Sequence, residues 1–327
     1  MAVNLRLILR RLGWFVPIVL ATAFICYLPT GVVYDTVEER GYQTIVSSPR
    51  FSLAAFWEGY SGYLSRLLRG DLGESIYLAR PVTSIIAEAF PRSLLLLGTA
   101  VGIAALVGIS LGLFGASKPG QRESIPLLLL ASLGVSLPSF LLAILAQLFA
   151  ARLTRLTGHR VLPIVGFGLD RHLIMPAIVT SLWPITYVAR ATSVAMSDIW
   201  RQDYIRTARA KGLRETYILY RHALKNAAIP IVAALARAFK FSVSTLVIVE
   251  YLFHWPGVAF HLLKAVLRRP SSLYTPAGRA CGLIAIDAPL AVGLTLSLVF
   301  TLFILDLVVD LTIRQLDPRL RKEGRRA

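Results

Sequence analysis

The sequence predicts an all-α integral membrane protein of about six transmembrane helices. Three observations carry that prediction. The 327 residues are 56% hydrophobic and only 16% charged, with a mean hydropathy of +0.65, whereas soluble domains are about 25% charged. Six apolar runs are long enough to cross a hydrocarbon core of ~30 Å. The cations between those runs are denser in every second segment, as the positive-inside rule requires.

In chain order, the basic start Met1–Arg11 leads into an apolar run of about 20 residues from Trp14 that exceeds a signal-peptide core and has no clear small-residue cleavage site. It reads as a retained first helix. The six predicted spans are Trp14–Val33, Ser93–Ala116, Ile125–Ala150, Leu173–Arg190, Ala227–Val249 and Ala288–Val309. Segments Met1–Leu12, Ser117–Ser124, Ser193–Asn226 and Asp310–Ala327 hold about 18 of the 35 Lys and Arg, which places both termini in the cytoplasm. Arg152, Arg155, Arg160, Arg268 and Arg269 on the opposite side weaken that bias.

The organisation read from this is one transmembrane domain over 1–327: an N-terminal helix at 1–33, an extracytoplasmic segment at 34–92, a five-helix core at 93–310 and a basic tail at 311–327. The 34–92 segment, with Phe51, Phe56, Trp57, Tyr60 and Tyr63 among seven acids, reads as folded and not as a slack linker. The net charge of +17 is spread over short flanks of apolar runs, which fits membrane lipid and not nucleic acid. Cys26 and Cys281, the two cysteines, supply neither a disulfide framework nor a metal site.

The segment Asp198–Asn226 carries most of the chemistry. It reads as two short helices around Gly212, with Trp200, Tyr204 and Ala208 at i, i+4, i+8 on one stripe. Lys211 suits a helix C-terminus and Gly212 a left-handed cap. Such a helix fits insertion into the groove of a soluble partner; it equally fits a basic amphipathic helix lying on anionic lipid.

The residues themselves separate those readings. Asp203-Tyr-Ile-Arg-Thr-Ala-Arg-Ala-Lys-Gly212, followed by Arg221-His-Ala-Leu-Lys-Asn226 and Pro230, closely resembles the coupling loop of permeases in the dipeptide, oligopeptide and nickel branch of ABC importers. The general pattern there is Glu-Ala-Ala, a Gly four residues on, and Ile-x-Leu-Pro; here Arg206-Thr-Ala208, Gly212 and His222-Ala-Leu224-Lys225 take those places. Further matches run in order: Arg69-Gly-Asp-Leu-Gly-Glu-Ser75, Pro81-Val82, Pro91, Ser136-Leu-Pro-Ser-Phe140, Ala189-Arg190, Glu250-x-x-Phe-x-Trp-Pro-Gly257 and Asp317-Pro-Arg319.

The resemblance implies the type I ABC importer permease fold, in the cytoplasmic (inner) membrane of a bacterium or archaeon. It also implies a second homologous permease, two ATPase subunits that carry ATP and Mg, and an extracytoplasmic binding protein that delivers substrate. Asp203, Tyr204, Arg206, Thr207, Ala208, Arg209, Ala210, Lys211, Gly212 and His222 are then the residues facing the ATPase. This chain lacks the Gly-x-x-x-x-Gly-Lys-Ser/Thr loop that cradles nucleotide phosphates, so no cofactor and no catalysis are assigned to it.

Other residues stand out physically. Gly70, Asp71 and Gly73 have turn chemistry, with Pro81 and Pro91 punctuating the approach to the second span. Trp255, Pro256 and Gly257 follow the fifth span, where a Trp suits the interface and Pro-Gly turns the chain. Glu250 has either a structural or a gating place in a pore vestibule. Arg190, at a span end, is positioned to snorkel. Arg237 and Lys240 lie inside the fifth span, where an ionised group costs ~2.5–3.5 kcal/mol at the bilayer centre. They line the pore, pair with acids of the partner permease, or snorkel.

Departures from the family pattern are Ala236-Arg-Ala-Phe-Lys-Phe-Ser242, the extra sequence Ser271–Ile286 before Asp287-Ala-Pro289, and Leu28-Pro-Thr-Gly31 after the first span. They leave the substrate open between peptides, nickel chelates, glutathione-like compounds and short sugars. An intramembrane enzyme using Glu250, Asp306, Asp310 and the histidines has no supporting constellation. An ATP-independent channel or scaffold shares the spans but leaves the coupling loop unexplained.

Overall fold

The computed structural model describes residues 5–33, 36–39, 42–45, 50–116, 137–267 and 286–316. The sequence expectations for 117–136, which include Ser136 and the start of the third predicted span, lie outside these residues. So do those for Cys281, 268–285, Asp317-Pro-Arg319 and the basic tail Arg319–Arg326.

Nine helices order the described residues: α1 (Leu5–Tyr27), α2 (Leu53–Leu68), α3 (Val82–Gly115), α4 (Ser139–Thr157), α5 (Arg171–Trp200), α6 (Asp203–Ala210), α7 (Glu215–Leu252), α8 (Val258–Leu267) and α9 (Ala288–Leu316). Five of them, α3, α4, α5, α7 and α9, are long and apolar enough to cross a membrane. In α1 the described side chains form the shorter apolar stretch Val16–Tyr27.

Several predicted boundaries move. The first helix stops at Tyr27, because Pro29 and Gly31 fall in a 3-10 turn and Val32–Val33 is a short strand, β1. The second span begins at Val82, so Pro91 lies inside α3 and does not precede it. A proline forfeits one backbone donor, a loss that membrane-spanning helices absorb; Pro17, Pro184 and Pro230 are likewise inside helices. The fourth span runs ten residues past Arg190 to Trp200, and the last continues to Leu316. Gly158, at φ +73, ends α4 as a left-handed cap.

The chain divides into two compact units. The first comprises Met1–Arg92 and Pro256–Thr301. Here β1 pairs antiparallel with β4 (Arg50–Phe51), and β2 (Thr36–Glu39) with β3 (Tyr42–Ile45). Helix α2 starts at Ser52, whose Oγ accepts from the Ala55 N–H at 3.3 Å. It buries Phe56, Tyr60 and Tyr63 against Ala23 and Tyr27 of α1 and Ala288 and Val292 of α9. Phe24 meets Phe56 and Tyr60 edge-on at 5.2 and 5.8 Å. A second cluster joins Val82, Ile85 and Ala89 to Val258, Leu290 and Leu294, which explains why the helix extends ahead of the predicted span. Asp287 caps α9: its carboxylate is fully buried and accepts from the Leu290 N–H at 3.3 Å, the Ser75 hydroxyl at 2.5 Å and the Tyr77 N–H at 3.3 Å.

The second unit comprises Ser93–Trp255 and Leu302–Ala327. A close helix contact is made by a Gly-x-x-x-Gly spacing, Gly108 and Gly112 of α3 against α5. A Cβ on Gly108 would sit 2.9 Å from the Ile185 carbonyl oxygen, and one on Gly112 2.6 Å from that of Ala189. Small residues at this spacing let two backbones approach where lipid supplies no hydrophobic drive. The α3 backbone passes through a π-helical turn at Ala104–Gly108 just before this contact.

Candidate functional site

The predicted coupling segment folds differently from the two separate helices expected. Only α6 is free-standing; the second half is the start of α7 itself, entering through a π-helical turn at Ile218–Ala223. Trp200 is the last residue of α5, so it does not share a helical stripe with Tyr204 and Ala208. Instead Ile205 and Ala208 are the buried face of α6, packed with Trp200, Met196, Ile218 and Ala227 in one apolar cluster. That cluster fixes α6 to the ends of α5 and α7.

Polar contacts complete the anchoring. The Arg209 guanidinium lies 5.0 Å over the Trp200 ring and donates to both carboxylate oxygens of Glu215, at 2.7 and 3.4 Å. Gly212 takes φ +74 after α6, with its N–H on the Arg209 carbonyl and that of Leu213 on Ala208. The Asn226 side-chain amide donates to the Tyr204 hydroxyl at 3.1 Å and to the His222 carbonyl at 2.9 Å. His222 meets the Tyr217 ring edge-on at 5.7 Å. What remains exposed is Asp203, Tyr204, Arg206, Thr207, Ala210, Lys211 and Gly212. Asp203 and Arg206 pair across one turn at 3.4 Å. The segment therefore presents a polar, partly aromatic outer face on an apolar root.

The cations of α7 separate into two cases. Lys240 Nζ lies 2.6 Å from Asp306 Oδ1 on α9, so the acid it meets belongs to this chain and not to a partner permease. Arg237 donates to the Tyr187 hydroxyl of α5 at 3.2 Å. It lines a cavity of about 600 Å³ between α5 and α7 together with Arg190, Tyr187, Asp198 and Asn226. Arg190 sits mid-helix on this wall and not at a span end, since α5 continues to Trp200. Beside it runs an aromatic ladder: Tyr187 stacks on Trp183 at 5.0 Å and 7°, and Trp183 on Phe241 at 3.7 Å and 19°. The sequence names Asp306 only for the enzyme alternative and does not single out Tyr187 and Trp183. Their signal was helical spacing, with Trp183 and Tyr187 seven and three residues before Arg190 on one face.

The remaining predicted residues serve the frame. Glu250 is fully buried, not vestibule-facing, and accepts from the Ser93 hydroxyl at 2.5 Å. Trp255 is fully buried against Phe167 at 4.8 Å, with its backbone N–H on the Glu250 backbone carbonyl at 2.8 Å, so it is a core residue and not an interfacial one. In the first unit, Gly70 and Gly73 take φ +79 and +78, and Asp71 Oδ1 accepts from the Gly73 N–H at 2.8 Å. The Pro256 carbonyl accepts from Arg92 at 3.3 Å, and that of Gly257 from the His261 N–H at 3.2 Å. The Gly70–Gly73 turn borders a cavity of about 980 Å³ walled by Glu58, Glu74, Asp71 and Arg66.

Residues 108–322 match the family described as "Binding-protein-dependent transport system inner membrane component". A Brucella abortus (strain 2308) relative, whose name assigns it to a peptide transport system as a permease, is 31% identical, with 96% of this chain and 98% of that protein covered. The glutathione transport system permease protein GsiC of Salmonella typhi is 31% identical, covering 81% of this chain and 78% of its own length. A solved structure of the MetNI methionine ABC transporter, in an inward-facing conformation, superposes with a TM-score of 0.54 at 15% identity. It covers 72% of this chain and 97% of that one, a likeness of fold.

Proposed function

Because this chain belongs to the family of binding-protein-dependent transport system inner membrane components and is the multi-pass permease subunit of an ABC importer, we propose that it forms half of a pore for peptides or similar small solutes. In this reading the pore is completed by a second homologous permease. ATP and Mg bind on two ATPase subunits, and the chain itself makes and breaks no covalent bond. Both termini and α6 lie on the cytoplasmic side, and the turn Gly70–Gly73 with its acid-walled cavity faces the binding protein.

The observation that carries the proposal is the build of α6. Ile205 and Ala208 root it on α5 and α7 while Tyr204, Arg206, Thr207 and Lys211 stay exposed. A docked ATPase that moves this face therefore moves the helices that wall the α5–α7 cavity. Nucleotide shifts a two-state equilibrium strongly only by favouring one state by several kcal/mol, about 5.5 for a swing from 1:99 to 99:1. A rigidly rooted helix transmits such a bias where a loosely held loop does not. Peptide cargo rests on the named relatives.

Affinity purification of the tagged chain in mild detergent tests this. Co-purification of a second permease and ATPase subunits, with ATP hydrolysis stimulated by peptide-loaded binding protein, is expected. A chain that purifies alone in several mild detergents would overturn it in favour of a channel or scaffold.

A further inference from the structure

The α5–α7 cavity holds two arginines where a membrane protein has reason to avoid them. Arg237 stands ten residues into the apolar run that starts at Ala227, about 15 Å along the helix and so half-way across a hydrocarbon core of ~30 Å. Both Arg237 and Arg190 are exposed on the cavity wall. A guanidinium at that depth does not face lipid; it faces a water-filled path, an anion or another protein.

The neighbouring lysine shows how this chain neutralises a structural cation: Lys240 has Asp306 at 2.6 Å. Among the described residues, Arg237 has a neutral phenol as its hydrogen-bond partner, and neither Arg190 nor Arg237 has a carboxylate within salt-bridge distance. Asp198 is the cavity's one acid, and it lies eight residues beyond Arg190, about 12 Å along α5. Two cations and one acid leave the cavity with an excess positive charge. Ala191, Ala195, Ala233 and Ala234 stand on its walls beside Val194, Ile199 and Pro230, and its volume of about 600 Å³ admits a small solute. Tyr187, the partner of Arg237, is the aromatic ring on this cavity wall; Trp183, on which it stacks, and Phe241 border a separate cavity with Pro138 and Phe140 of the α4 entry.

We infer that Arg190 and Arg237 form a carboxylate-recognition site in the solute path, so that this importer prefers cargo with a free carboxylate, the less polar part lying against Tyr187 and the alanines of the same wall. This rests on the reading that the chain walls a path for peptide-like solutes. A guanidinium pair offers forked donors to a carboxylate.

The test uses the complete importer in proteoliposomes, with the binding protein saturated beforehand by a dipeptide or by its C-terminal amide so that delivery is matched. Unaltered importer should take up the free acid faster. R190Q/R237Q should reduce the free-acid to amide uptake ratio by about tenfold, a size expected for one charge-assisted hydrogen-bonded contact. Lysine in place of glutamine at position 237, R190Q/R237K, should restore part of it. An unchanged ratio in R190Q/R237Q overturns the inference. Failure of that variant to retain the second permease also overturns it, by assigning the arginines to the subunit contact. If unaltered importer hydrolyses ATP but moves neither cargo, the peptide reading of the preceding subsection fails, and this inference fails with it.

Discussion

Gly212 illustrates how much one backbone conformation carries. Its φ of +74 costs an L-residue about 1–2 kcal/mol, yet a Cβ there meets nothing within 4 Å. Gly212→Ala should therefore leave the segment folded but strained, and lower the ratio of solute moved to ATP hydrolysed. Gly212→Asn, more tolerant of this region, should lower it less; equal transport and hydrolysis in all three would remove the turn from coupling. Lys240 and Asp306 make a second residue-scale case. Neutralising either should destabilise the protein, whereas K240M/D306L should recover much of the loss, because breaking a pair is worse than replacing it. Thermal unfolding in detergent should give a coupling of at least about 1 kcal/mol. Asp287→Ala strands the Ser75 hydroxyl and the Tyr77 and Leu290 N–H groups, and should cost about 3 kcal/mol. Asp287→Asn, which keeps one acceptor, should cost less by the same assay.

At the scale of elements, the α3–α5 contact depends on what is absent from Gly108 and Gly112. Gly112→Leu places a side chain where the Ala189 carbonyl and Thr192 already lie. The helices must separate, and overpacking of this kind costs about 1–3 kcal/mol. Loss of thermal stability is expected, together with reduced recovery of the second permease if α5 shifts at its far end. The entry to α5 should depend on pH. Asp170 caps it through the His172 N–H at 3.1 Å, and the His172 ring beside it at 2.7 Å holds the Asp170 carboxyl below the usual carboxylate range. A lowered folded value means that the cap contributes fully above the unfolded pKa of about 3.9 and is lost as pH falls through the folded one. Amide exchange at His172, whose N–H the Asp170 carboxylate accepts, should rise only in acid below about pH 4, and Asp170→Asn should abolish that dependence.

At the scale of the whole molecule, the composition, the alternating apolar runs and the cation bias determine a multi-pass helical protein, and the residues from Asp203 to Gly212 name its family. Those features are legible because each is local: a span needs only length and hydropathy, and a left-handed turn needs only a glycine. The orientation predicted from them is checked by single cysteines at Arg206 and Glu58, which should label from opposite faces of sealed vesicles. What the tertiary structure decided is what each polar residue in the membrane meets. Lys240 and Arg237 are equivalent in sequence, yet one meets Asp306, 66 positions away, and the other meets Tyr187 in an open cavity. Glu250 and Trp255 read as boundary residues, yet both are buried. The second coupling helix dissolved into α7, because nothing in Leu213–Asn226 breaks a helix once the π-turn at Ile218–Ala223 has re-registered it. Charge, burial and register inside a bilayer depend on partners distant in sequence, and only packing brings those partners together.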